Sequence, residues 1–85
     1  MASYNVSIKP SALKELERLG KKEIAKLVER IEALAREPRP LGSAKLSGQE
    51  RYRIRQGDYR IVYGIDDQTC TVDVVKIGDR KEIYR

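Results

Sequence analysis

Apolar and polar residues alternate at the start of the chain, with Tyr4, Val6 and Ile8 on one side and Ser3, Asn5, Ser7 and Lys9 on the other. This is the period of a half-buried strand over residues 3–9. Pro10 ends it. Proline is tolerated in the first turn of a helix, and Leu13, Leu16 and Leu19 then recur at helical spacing until Gly20, a suitable C-terminal cap. The spacing predicts a first helix near 10–19. From Lys22 onward Ile24, Leu27, Val28, Ile31, Leu34 and Ala35 trace one stripe of a second helix, which Pro38 and Pro40 stop. A short glycine-containing link between two helices predicts an antiparallel pair whose stripes need a sheet or another helix to cover them.

Residues 38–48 are rich in Pro, Gly and Ser and are expected to form a loop, with Leu41 and Leu46 as its anchors on the core. Three alternating, β-branched and tyrosine-rich segments follow at 51–55, 59–65 and 69–77, separated by the turn-like Gln56-Gly57-Asp58 and Asp66-Asp67-Gln68; residues 82–84 are a candidate short final strand. Parity decides how the first two pair. Tyr52 and Ile54 oppose Arg51, Arg53 and Arg55, while Tyr59, Ile61 and Tyr63 oppose Arg60 and Val62. An even turn, Gln56-Gly57 or Gly57-Asp58, puts the tyrosines and isoleucines on one face and Arg60 with Arg53 and Arg55 on the other. An odd turn would bury Arg60 among apolar residues, because a one-residue slip exchanges the faces of a strand. In the even register Arg60 faces Arg53 or Arg55, a like-charge pair that is unfavourable unless an anion lies between them. An arginine-rich face opposite the helices is suited to phosphate. It also fits a solvated sheet face, since arginine stems cover apolar surface.

Composition narrows the class. Eighty-five residues suffice for one domain, residues 1–85, and a chain this short buries only roughly 60–65% of the surface that its unfolded form exposes. The net charge of +5 and an isoelectric point near 9.5 favour a polyanionic partner, either nucleic acid or an acidic protein. Arg51, Arg53, Arg55 and Arg60 cluster against Asp58 alone. Cys70 is the only cysteine, which excludes an internal disulfide; within an alternating run it is expected to act as a small hydrophobe, and a reducing cytoplasm fits. No stretch approaches the ~20 apolar residues of a membrane span, and the first five residues lack the features of a secretion signal. Gly42 and Gly48 form no phosphate loop, and Asp66-Asp67 has no accompanying ligand cluster, so neither a metal nor another cofactor is expected.

Three blocks carry a family likeness: Tyr52-Arg53-Ile54-Arg55, then Gly57 to Tyr63 (GDYRIVY), then Ile77 to Arg85 (IGDRKEIYR). Together with Ser11-Ala12-Leu13-Lys14 and Leu46-Ser47-Gly48, they make nearly the whole chain resemble the RelE/ParE toxin superfamily. The resemblance implies an α+β fold, two N-terminal antiparallel helices on a twisted, mainly antiparallel sheet of four to five strands, as the strand pattern already suggested. It also implies the activity of RelE-like toxins, cleavage of messenger RNA in the ribosomal A site, with an acidic, RelB-like antitoxin as inhibitor. Carried over by position, the residues implied are Arg53, Arg55, Arg60, Arg80 and Tyr84, with Arg51, Lys81 and Arg85 as further substrate contacts.

Metal-free RNA cleavage needs a proton acceptor for the 2′-hydroxyl, stabilisation of a dianionic phosphorane, and a proton for the leaving 5′-oxygen. The chain has no histidine, so preorganised cations must supply most of the effect. Arg60 with Arg53 or Arg55 would grip the scissile phosphate, and Arg80 would serve the leaving-group side. Tyr84 would stack on a base, or else close the edge of the core. The family often has lysine where Arg53 and Arg55 stand and histidine where Asp79 stands. Asp79 is therefore either a proton acceptor or the partner of a nearby arginine. Two other functions use the same surface: a ParE-like inhibitor of DNA gyrase, and an RNA-binding module without catalysis.

Overall fold

The computed structural model describes residues 3–46, 48 and 50–79. Among them the order is β1 (Asn5–Ile8), α1 (Pro10–Glu17), α2 (Lys21–Ala33), β2 (Ala44–Lys45), β3 (Tyr52–Gln56), β4 (Tyr59–Asp66) and β5 (Thr71–Asp79). The strands form one sheet in the order β1-β5-β4-β3-β2, parallel only between β1 and β5. The expected α+β architecture is present. β2 lies inside the segment expected to be loop, because two residues are too few to display a period.

One face of the sheet carries the core. Ala12 and Leu16 of α1, Leu27 and Ile31 of α2, and Leu34 just beyond it pack against Ile54, Ile61, Tyr63, Val72, Val74 and Ile77. Leu13, expected in the α1 stripe, is instead exposed, because Ala12 and Leu16 at i, i+4 define the buried line. The small Ala12 side chain suits close approach of α1 to β5. Each helix also tends an open stretch of strand backbone. Glu15 of α1 accepts from the Ile77 N–H at 3.2 Å, and Arg30 of α2 donates to the Arg55 carbonyl at 3.5 Å.

The loop after α2 is anchored differently from expectation. Leu41 is fully exposed. Ser43 N–H donates to the Pro40 carbonyl at 2.9 Å and Gly42 has φ +94°, so residues 40–43 form a turn that needs glycine at its third position and leaves Leu41 at its outer corner. The anchor is Pro38, which is buried and whose carbonyl accepts from the Tyr63 hydroxyl at 2.7 Å. Beside it, Arg39 grips Asp67 of the β4–β5 turn through two nitrogens, at 3.2 and 2.9 Å, while Tyr4 donates to the same carboxylate at 2.6 Å. The Arg39 guanidinium also lies 5.2 Å from the centre of the Tyr52 ring, which stacks on Tyr63. The loop, the residue leading into β1, β3, β4 and the distal turn are thus tied at one end of the sheet. Arg39, and after it Tyr4, hold the Asp67 carboxyl below the usual carboxylate range. Cys70, expected within a strand, sits in the β4–β5 turn at φ +53°, since β5 begins only at Thr71.

Burial pushes the Tyr63 hydroxyl up to about 12 from an ordinary value of 10. Between those values the unfolded chain releases the proton and the folded one keeps it, so stability is whole below pH 10 and declines as pH rises towards 12. Tyr63→Phe leaves the Pro38 carbonyl without its donor. It should cost about 1–2 kcal/mol, lower Tm by roughly 5–15 °C, and remove this part of the alkaline loss. Denaturant titrations of both proteins from pH 8 upward would read both effects.

Candidate nucleic-acid interface

The β3–β4 hairpin turns through two residues, Gly57 and Asp58, with Gln56 paired to Tyr59. Only Gly57 of the two has positive φ, at +60°. Glycine in the first central position with a left-handed backbone is what a II′ turn requires, and its twist matches that of the strands it joins. The turn is even, so the register follows: Arg55 pairs with Arg60, Ile54 with Ile61, Arg53 with Val62 and Tyr52 with Tyr63. The apolar members lie in the helix-covered core and the arginines on the opposite, outer face.

On that outer face the burial differs from residue to residue. Arg51 and Arg55 are exposed and Arg53 is half-buried. Arg60, expected to be exposed, is only 2% exposed, although its register sets it on the face opposite Ile54 and Ile61. It occupies the central strand, with Arg55 beside it on β3 and Gly78 beside it on β5. Val62, two residues along on the same face, is likewise buried outside the main core cluster. The result is a buried arginine on the central strand, with the more exposed arginines of β3 beside it. Arg55 and Arg60 are directly opposed like charges, an arrangement that an anion between them would relieve.

Asp79 falls on the other face. It pairs with Tyr59, and it lines a cavity of about 290 Å³ together with Glu15, Arg18 and Leu19 at the end of α1. The Asp79 position therefore shares the helix side rather than the arginine side. Arg80, Lys81, Tyr84 and Arg85, and the candidate strand at 82–84, lie outside the described residues.

One cation on the arginine face was missed by sequence reasoning. β4 and β5 run in one register from Tyr59–Asp79 to Val62–Lys76 and in another from Tyr63–Val74 onward, so Val75 is an extra residue, a β-bulge. Strict alternation through 69–77 would put Lys76 on the side of Val72 and Val74. The bulge turns it to the outer face, in a row with Val62 and Arg53. The available signal was the spacing of the apolar residues, Val72 and Val74 followed by Ile77 rather than by an apolar residue at 76.

No group of three or more His, Cys, Asp or Glu among the described residues is arranged to hold a metal ion. Among the described residues no helix is long and apolar enough to cross a membrane.

Comparison with known proteins places this geometry in a family. The model of the ParE toxin of type II toxin–antitoxin systems, parDE, matches residues 6–84. Toxin RelE of Mycobacterium tuberculosis is 37% identical over 84 residues, covering 96% of this chain and 87% of that protein. Among solved structures, the archaeal RelE–RelB complex from Pyrococcus horikoshii aligns with a TM-score of 0.83 at 30% identity, over 92% of this chain and 96% of the other. The RelBE2 toxin–antitoxin complex of M. tuberculosis aligns with a TM-score of 0.82 at 29% identity, over 93% and 100%. With its sequence matched almost end to end and its sheet and helices superposing on these toxins, the chain belongs to the RelE/ParE superfamily of type II toxin–antitoxin toxins.

Proposed function

We propose that this toxin is a ribosome-dependent endoribonuclease that cleaves messenger RNA in the A site and so arrests translation. The observation that carries the reading is the register of β3 and β4, which gathers Arg53, Arg55 and Arg60 on one face away from the core. Guanidinium groups present paired donors matched to phosphate oxygens, and a site of fixed cations stabilises the charge that builds on a phosphorane. In the reaction, the 2′-oxygen attacks the adjacent phosphorus and the bond to the 5′-oxygen breaks. The products are a 2′,3′-cyclic phosphate and a 5′-hydroxyl, and no metal takes part. Arg60, on the central strand, holds the phosphate with Arg53 or Arg55; Arg80 serves the leaving oxygen and Tyr84 a neighbouring base, with Arg51, Lys81 and Arg85 along the RNA. A ribosomal target implies a cytoplasmic protein.

The partner is an acidic, RelB-like antitoxin, largely disordered alone and folding as helices on this basic domain. In support, both structural relatives named above were solved as complexes of toxin with antitoxin.

A second reading is a ParE-like inhibitor of DNA gyrase, favoured by the parDE description of the matching family. The two separate cleanly in cells. Primer extension on a reporter mRNA after a short pulse of expression should reveal cuts within codons, and Arg60→Ala should reduce them at least tenfold while the protein still accumulates. DNA damage without mRNA cuts would favour gyrase. Growth arrest by Arg60→Ala and Arg80→Ala as strong as the parent's would exclude the nuclease.

The cost of the arginine pair gives a further expectation. Arg55→Thr removes the repulsion from Arg60 and supplies a good strand former, so it should raise stability by about 0.5–1 kcal/mol while weakening cleavage. Thermal melts alongside the cleavage assay would register both changes, and a drop in Tm would contradict the repulsion.

A further inference from the structure

Lys76 is the cation that the bulge re-aims. Bulges concentrate beside functional sites because an extra residue redirects the side chains that follow it. Here Val75 is the extra residue, and the register beyond it sets Lys76 opposite Val62 and Ile77 opposite Ile61. Without the bulge Lys76 would pair with Ile61 and point into the core. The distortion therefore serves two ends: Ile77 stays buried, and an ammonium is delivered to a third strand of the arginine face.

Its surroundings on that face suit an anion. Lys76 is exposed and stands diagonally across the ladder from Arg60, whose direct partner on β5 is Gly78. Such diagonal neighbours lie about 7–8 Å apart. Arg53 is in the same row, beyond Val62. The carboxylates of this face sit toward the opposite end of the strands: Asp73, which accepts from the Ser7 hydroxyl at 3.1 Å, and Asp66, whose oxygen accepts from the Gln68 and Thr69 N–H groups of the turn. Among the described residues Lys76 makes no ion pair. Arg53, Arg55, Arg60 and Lys76 thus lie on the half of this face nearer the Gly57–Asp58 turn, while Asp66 and Asp73, with Arg51 among them, lie on the half nearer the β4–β5 turn. A polyanionic strand would meet the greater density of cations on the first half.

We propose that Lys76 is a further substrate-binding residue, holding the RNA phosphate next to the one gripped by Arg60 and so extending the arginine site onto β5. This rests on the RNA-cleaving function proposed above. Its role is binding, because an ammonium one diagonal step from Arg60 adds charge along the strand without a place at the reacting phosphorus.

The test is single-turnover cleavage of end-labelled mRNA in the A site of programmed ribosomes, measured against toxin concentration and KCl for the full chain and for Lys76→Gln, Lys76→Arg and Arg60→Ala. Lys76→Gln should raise the half-saturating toxin concentration about three- to tenfold and leave the plateau rate within about twofold. The slope of log affinity against log salt should become shallower by about 0.7, the value for one phosphate contact on a single strand. Lys76→Arg should restore both, and the melting temperature of Lys76→Gln should match the parent's. Unchanged half-saturation and salt slope in Lys76→Gln, beside a disabled Arg60→Ala, would overturn the role of Lys76 and leave the nuclease standing. If the parent itself cuts no mRNA on ribosomes, the failure is that of the nuclease reading.

Discussion

Everything on the outer face depends on the length of one turn. Gly57 and Asp58 close the β3–β4 hairpin with two residues, and an even turn makes Arg55 and Arg60 partners rather than setting Arg60 opposite an isoleucine. The core enforces the same choice. Ile54, Ile61 and Tyr63 can be buried together only in that register, so the hydrophobic effect that assembles the sheet also delivers the guanidinium groups to its far side. Cohesion and the candidate chemistry are two consequences of one alignment. Directly opposed arginines repel unless an anion lies between them, the kind of local conflict expected where a surface is shaped for a ligand.

The two ends of the sheet are built for different purposes. At the β4–β5 turn, Arg39, Asp67, Tyr4 and Tyr52 form a tie, and Tyr63 anchors the loop through the Pro38 carbonyl. The exposed Arg39–Asp67 ion pair contributes little alone, but the tie joins a loop, a turn, β3, β4 and the residue leading into β1, and it restrains a small domain whose core is lean. At the Gly57–Asp58 end, cations are gathered on the outer face instead. Arg53, Arg55, Arg60 and Lys76 come from three neighbouring strands, and their rigid backbone holds them ready for a polyanion. A basic surface of this kind also gives an acidic inhibitor something to cover, which fits the toxin–antitoxin setting of the family.

Much of this was legible in the residues. The alternation of Tyr52-Arg53-Ile54-Arg55 and of Tyr59 to Tyr63, with an even turn between them, carried the hairpin and its faces; the stripe of Leu27, Ile31 and Leu34 carried α2. What stayed hidden involved geometry that a period cannot express. Leu41 looked like an anchor, but the Gly42 turn points it outward and Pro38 does the anchoring. Cys70 looked like a strand residue and lies in a left-handed turn position. Arg39 and Asp67 are far apart in the chain, and nothing local joins them. Lys76 escaped because a single extra residue at Val75 shifts the parity of everything after it, and Asp79 proved to share the face of Tyr59 for the same reason of register.

The central claim is that guanidinium groups from two paired strands close on one phosphodiester. It is met most directly by determining the structure of this toxin on a ribosome whose A-site mRNA carries a 2′-O-methyl group at the scissile nucleotide, which blocks the attacking oxygen. The account predicts the scissile phosphate on the outer face, its oxygens about 2.7–3.2 Å from Arg60 and from Arg53 or Arg55. A phosphate bound on the helix side of the sheet, or an mRNA that passes without touching Arg60, would contradict it.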